Sequence, residues 1–306
     1  MAIREEAPTL ALLALTYAVY FTLPLAAGTW PIWLIVLGLA VAIAMHSSLQ
    51  HEVLHGHPFP NQMLNDALVF PALGLAIPYL RFKDTHLAHH FDANLTDPYD
   101  DPESYFLHSE DWGRMPPWQQ WLAEFNNMLI GRMAVGPAIG LAVLYSDDLG
   151  RALKGDRRVI WSYLHHLLGA ALPLAWVAIM TDLPLWALFI AAYLGMSILK
   201  IRTYLEHRAH DRPGGRSVII EDRGLLALLF LNNNYHAVHH AHPKVVWHQL
   251  PAMFARRREH FLRRNGGYTY GSYREIFRRY LFKRKDPVPH PLHGLAERED
   301  GLRPGG

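Results

Sequence analysis

The sequence predicts an all-α integral membrane protein: four transmembrane helices in two hairpins, with a cytosolic helical cap that carries three clusters of histidine. Three observations predict it. No Asp, Glu, Lys or Arg occurs between Glu6 and Glu52. A second pair of apolar runs lies in the middle of the chain, broken only around Asp182 and Pro184. The histidines are bunched, and each bunch follows an apolar segment.

The first window holds two segments, about 9–27 and 31–50, with Gly28-Thr29-Trp30-Pro31 as the turn between them. Each approaches the roughly 20 residues needed to cross a bilayer core of about 30 Å. A soluble helix would show a polar stripe, and a cleaved leader would not be followed at once by a second long apolar segment. The second hairpin is expected over about 160–181 and 183–204.

Two shorter stretches, 67–80 and 133–146, have only 14 residues between charges and carry Pro71, Gly74 and Pro78, or Gly136, Pro137 and Gly140. That length suits re-entrant or interfacial segments. If either crossed, the histidine clusters would fall on opposite sides of the membrane.

Charge sets the expected orientation. The hairpin turns hold no Lys or Arg, whereas the other face has Arg81, Lys83, Arg151, Lys154, Arg157, Arg158 and the Arg256–Arg258 run. The positive-inside tendency then places both termini and every histidine cluster in the cytoplasm. Residues 206–306 are expected to be cytosolic and part of the same single domain. Within them "YREIFRRYLFKRK" has the pattern of a basic amphipathic helix on the membrane surface, and the last residues look like a loose tail. "LTDPYDDPESYF" is a turn-rich acidic loop.

Net charge is +2 and cysteine is absent. The first gives no nucleic-acid signal; the second removes disulfides, iron–sulfur clusters and cysteine nucleophiles.

"HEVLHGH" supplies His51, His55 and His57; "HLAHH" supplies His86, His89 and His90; "NNNYHAVHHAH" supplies His236, His239, His240 and His242. On a helix, positions i, i+3 and i+4 share a face, so each pattern aims its imidazoles one way. Neutral imidazoles suit Zn, Cu, Fe or Ni, and three such faces offer more nitrogens than one ion can use. His46 sits inside a span and is expected to be hydrogen-bonded there. His108, His165, His166, His260, His290 and His293 fit no pattern and are expected to be ordinary polar side chains.

Two other classes compete. "HEVLH" is also the zinc-protease pattern, with Glu52 as general base, but a zinc hydrolase needs three protein ligands and leaves the H-x2-H-H pairs unexplained. A metal carrier should line its spans with ionisable groups; these spans hold only His46, His165 and His166, and no carboxylate.

The three patterns, their order and their placement after helical hairpins resemble the histidine boxes of the membrane fatty acid desaturase and hydroxylase superfamily, in a small bacterial form. The resemblance covers about 10–255. It implies one further ligand near the end of the last span, which "RTYLEHRAH" matches at His207 rather than His210. It therefore implies a di-iron centre held by His51, His55, His86, His89, His90, His207, His236, His239 and His240, with His57 and His242 outside it.

Ligand histidines need a partner on the other ring nitrogen; Glu52, Asp84, Asp92, Glu206 and Asn232 are the expected ones. The implied reaction is O2-dependent oxidation of an unactivated C–H bond in an apolar or lipid substrate, ending in an alkene or an alcohol. Fatty-acyl desaturation is the leading expectation, with carotenoid hydroxylation or ketolation and desaturation of an amino-acid-derived metabolite, as in rhizobitoxine biosynthesis, as alternatives. No flavin, cytochrome or cysteine motif is present, so electrons are expected from a ferredoxin-type or similar external donor, for which Arg256–Arg258 offers a landing site, with anchoring to anionic lipid an equal alternative for that cluster. The expected location is the bacterial inner membrane.

Overall fold

The structure is a computed structural model that describes residues 3–91 and 94–292. Among the described residues four helices are long and apolar enough to cross a membrane: α1 (Ile3–Thr22) and α2 (Ile32–Leu54) in the first hairpin, α9 (Arg157–Met180) and α10 (Leu185–Thr203) in the second. Their lipid-facing side chains are large and apolar, among them Leu37, Val41, Leu167, Leu168 and Phe189. Trp30, Trp33 and Trp186 are exposed at the hairpin-turn end, where amphipathic rings favour the interface. The protein is an all-α integral membrane protein; the described residues add only two two-residue strands, β1 (Ile219–Ile220) and β2 (Thr269–Tyr270), paired in parallel.

The remaining helices are mostly short. Between the hairpins lie α3 (Gln62–Leu68), α4 (Tyr79–Phe91), α5 (Ser109–Arg114), α6 (Pro117–Asn126), α7 (Leu129–Ala134) and α8 (Gly136–Leu153), of which the 18-residue α8 and the 13-residue α4 are the longest. After them come α11 (Leu225–Leu229), α12 (His236–Ala241), α13 (Leu250–Arg256), α14 (Arg258–Arg264) and α15 (Tyr273–Tyr280).

The two hairpins meet chiefly through α2 and α10. Ile35, Leu39 and Ile43 pack on Ala187, Leu188, Ala191 and Ala192. Small residues let membrane helices approach closely, and Gly195 is the tightest point: a Cβ there would sit 2.7 Å from the Ile43 side chain and 3.1 Å from the Ala40 carbonyl oxygen. This contact sets the relative level of the ends of α2 and α10, the first carrying His51 and His55 and the second leading to His207.

The stretch between α3 and α4 is irregular backbone, and it reaches deep along α9. Pro173 has no N–H to give the Gly169 carbonyl four residues earlier, and the Ala72 N–H donates to that carbonyl instead, at 3.0 Å. Gly169 lies twelve residues beyond Arg157, roughly 18 Å along the helix. Non-helical backbone at such depth needs partners. Side chains supply them: Tyr17 donates to Leu68 O, Tyr20 to Leu73 O, His166 Nε2 to Leu75 O and Tyr145 to Ala76 O. Tyr17 also meets His46 Nε2 at 3.2 Å, which gives that buried ring its partner.

The C-terminal helix departs from the surface-helix expectation. In α15, Tyr273 and Ile276 are buried against Tyr204, Leu205 and Phe230, with Phe277 and Tyr280 packed alongside. Its apolar face is used up by the protein's own core, leaving only its arginine face outward.

One ion pair inside the helix layer is unusually dry. Arg81 on α4 and Asp148 on α8 are both 2% exposed and meet at 2.7 Å, with the Tyr163 hydroxyl donating to the same carboxylate. Removing one partner of a buried pair leaves an uncompensated charge, at about 3–5 kcal/mol. Asp148→Ala should therefore lower the thermal midpoint in detergent clearly, and Arg81→Met with Asp148→Leu should recover most of the loss. Equal midpoints for wild type and Asp148→Ala would contradict this account.

Candidate metal centre

Nine histidines converge where α2 ends, on α4, just after α10 and on α12. They separate into two groups: His51, His55, His86, His90 and His239 in one, and His89, His207, His236 and His240 in the other. Within each group one ligand atom per residue lies within 4.8 Å of all the others. Helix geometry explains the division. Residues four apart share a face, so His51 with His55, His86 with His90, and His236 with His240 each stay together. Adjacent residues point about 100° apart at 3.6 residues per turn, so His89 and His90 part company, as do His239 and His240. The two groups touch through His90 and His240, whose rings stack at 4.2 Å.

The arrangement makes little sense without cations. His89 and His236 direct Nδ1 to Asp101 and Asn233, at 2.7 and 3.2 Å. Asp101 and the Asn233 carbonyl accept, so in the neutral rings both Nε2 atoms are bare lone pairs. Both face His207 Nε2, at 2.9 and 3.0 Å, and one ring nitrogen carries one proton at most. In the other group the Nε2 atoms of His51, His55 and His86 are buried with no partner at all. Each such orphan costs about 1–3 kcal/mol. Nitrogens 2.9–3.1 Å apart match the roughly 3.0 Å spacing of two ligands at right angles with metal–nitrogen bonds of about 2.1 Å; tetrahedral ligands would stand about 3.4 Å apart. The donor set fits two imidazole-seeking metal ions of higher coordination number.

Electrostatics agree. Burial, reinforced by neighbouring imidazoles, holds His55, His207, His236, His239 and His240 well below the usual histidine range, and takes His90 down to about 3. These rings are neutral, the form that ligates. His89 is the exception: burial disfavours its charge, yet Glu103 and Asp101 outweigh burial and raise it to about 9. Burial also pushes Glu103 up, but His86 and His89 more than reverse that and hold it far below the usual range. The two carboxylates thus favour positive charge in this corner, which a bound metal ion would supply while leaving His89 Nε2 free to ligate.

The partners that orient the rings are mostly not those expected from the sequence. Asp101 accepts from His89, and Glu103 from His86 at 2.9 Å; both come from the acidic loop after α4. Asp84 instead binds Arg158, because its side chain leaves α4 on the side opposite the histidines. Asn232 bonds the Trp247 carbonyl at 3.3 Å, and its neighbour Asn233 meets His236. Leu231 and Asn232 have φ of 49° and 53°, and this left-handed reversal turns the next side chain inward. Glu206 is near, 3.7 Å from His236 Nδ1, but shared with Arg202 and Asn233. Asp92 lies outside the described residues.

Glu52 accepts the Trp247 N–H at 3.0 Å and lies 3.8 Å from His57, so it is a brace between the first and third clusters and is not offered to a metal-bound water. His57 pairs with Glu6 at 2.8 Å, His210 Nδ1 accepts from the Arg212 N–H, and His242 packs on Phe261. None of these three joins either group.

Loss of such a ring partner typically costs 10–100-fold in metal affinity. Asp101→Asn and Glu103→Gln should each weaken ferrous-ion binding by about that factor, measured by competition with a chelator, while Asp84→Asn leaves it unchanged. Similar weakening in all three would mean that the loss does not come from removing the partners of the rings.

No match is found among curated proteins. The family model described as fatty acid desaturase matches residues 28–272, a span that includes every histidine of both groups. With that match over most of its length, the chain belongs to the fatty acid desaturase family.

Proposed function

We propose that the protein is an O2-dependent di-iron oxidoreductase that desaturates a fatty-acyl or similar lipid-like chain, using electrons from an external donor. The observation that carries this reading is the division of nine nitrogens into sets of five and four, both short of six. Two irons bound there would keep positions for O2 and supply its reductive activation against an unactivated C–H bond.

The residues of the chain do the rest. Asp101, Glu103 and Asn233 hold three rings in the tautomer that presents Nε2. His89, His207, His236 and His239 are buried, which keeps bulk water from the reacting centre. The centre sits at the end of α2 and beyond α10, a position at the edge of the spans that suits an apolar substrate drawn from the bilayer. Whether hydrogen removal ends in an alkene or an alcohol depends on sub-ångström placement of the carbon; hydroxylation belongs to the same reading.

The positive-inside tendency supports a cytoplasmic centre in a bacterial inner membrane. Arg256, Arg257 and Arg258 are exposed; Arg258 is paired with Glu221 at 2.7 Å, and the charge of Arg256 and Arg257 suits an acidic ferredoxin-type donor.

The detergent-purified protein, loaded anaerobically with ferrous iron, should hold two irons per chain. His236→Ala should drop to about one, since it removes one of only four ligands in its group. Reduced wild type should consume O2 in step with the desaturation of an added acyl chain. One tightly held zinc that does not depend on His236 would overturn the reading.

A further inference from the structure

The loop after His207 runs Arg208-Ala209-His210-Asp211-Arg212-Pro213-Gly214-Gly215-Arg216, and the metal centre explains neither its arginines nor its glycines. It packs on the turn 265–267 that follows α14. Glycine is what lets the two turns close. A Cβ on Gly215 would meet the His210 ring at 2.5 Å, and one on Gly214 would meet both the side chain and the carbonyl oxygen of Arg264 at 3.1 Å. Gly266 has a φ of 62°, a left-handed conformation that glycine adopts freely.

These contacts bring three donor nitrogens to one place. Arg208 Nη2, His210 Nε2 and Arg212 Nη2 lie 3.3, 3.5 and 3.8 Å from the point that a Cβ on Gly266 would occupy. Two of the three are anchored. The Arg208 guanidinium stacks over the Tyr268 ring at 4.5 Å, and donates to the Gly215 carbonyl at 3.0 Å and the Asn265 carbonyl at 3.2 Å. His210 Nδ1 accepts the Arg212 N–H at 3.1 Å, so Nε2 carries the ring proton and is a donor. Arg212 is exposed. Among the described residues no carboxylate pairs with Arg208 or Arg212, and no acceptor meets His210 Nε2. Asp211, the one acid of the loop, is exposed and pairs with neither arginine.

The space over Gly266 therefore holds donors and two fixed positive charges, with no anion to answer them. A phosphate monoester carries about −1.5 to −2 charges and three acceptor oxygens, which matches both counts. A carboxylate supplies about half the charge. Guanidinium groups also fit phosphate oxygens well, through charge-assisted hydrogen bonds. We propose that Arg208, His210 and Arg212 form a phosphate-binding site over Gly266, suited to a phosphate monoester. The site begins one residue beyond His207 but uses none of the nine histidines of the centre, and it does not depend on the reaction assigned to them. Two sources share the ligand chemistry: a soluble phosphate ester such as a nucleotide, and the headgroup of a lipid such as phosphatidic acid.

The test is equilibrium binding of two radiolabelled probes, adenosine monophosphate and dioctanoyl phosphatidic acid, to the full-length, iron-loaded protein in detergent. Salt is set at about 0.15 M, where attraction between exposed charges is screened beyond roughly 8 Å. Arg212→Ala should weaken binding about 10–100-fold, the loss of a hydrogen bond to a charged group, with iron content at the wild-type level. His210→Ala should weaken it as well. Arg274→Ala, which removes the same charge from an exposed position on α15, should leave it unchanged. Tighter binding of the lipid would identify a headgroup as the occupant, and tighter binding of the nucleotide a soluble ester; either supports the site. Equal weakening by Arg212→Ala and Arg274→Ala would overturn it and leave the arginines a diffuse basic surface. So would displacement by acetate as effective as by inorganic phosphate, or no saturable binding of either probe.

Discussion

Nine imidazole nitrogens crowded into buried space repel one another and lose their water, and the rest of the fold can be understood as the means of keeping them there. No single helix can do it. Four segments from distant parts of the chain must end at one level, which requires the two hairpins to be locked in register. The Gly195–Ile43 contact provides the lock, because a glycine lets α10 approach α2 more closely than any side chain would allow. Trp247 then ties the third cluster to the first, its N–H on Glu52 and its indole on Thr9 at 3.2 Å.

The same demand for satisfied polar groups governs the membrane interior. The irregular backbone between α3 and α4 would be prohibitive in lipid by itself. It persists because a proline on α9 frees a carbonyl at the right depth and because tyrosines and a histidine from the surrounding helices donate to its own carbonyls. Each of those side chains is a polar residue in an otherwise apolar helix, so what looks like a blemish in the hydrophobic pattern marks a backbone partner.

That pattern was largely legible in the sequence. The four spans follow from missing charges, a local property; the expectation that each box aims all its imidazoles one way is corrected, since each H-x2-H-H box is divided between the two groups. The residues that orient the rings were not legible, for a physical reason. Asp101 and Glu103 stand 12 and 17 residues from their histidines and return through a loop whose path no periodicity encodes. Asp84 was nearer in sequence but on the wrong side of α4, and Asn232 missed by one position because a left-handed turn intervenes. The burial of α15 was equally hidden: an amphipathic helix looks the same whether its apolar face meets lipid or Tyr204 and Phe230.

The acidic loop that supplies the carboxylates is itself held from the far end of the described chain. Leu107 exchanges backbone hydrogen bonds with Val288 and His290, the His290 ring meets Thr96 Oγ1 at 3.1 Å, and Lys285 donates to both the His207 carbonyl and Tyr105. Residues 281–290 therefore clamp the loop on one side and the His207 backbone on the other. The group containing His89 and His207 is thus assembled only when sequence positions nearly 200 residues apart have met, so its geometry depends on the completed fold in a way that the pair His51 and His55, set by a single helix, does not.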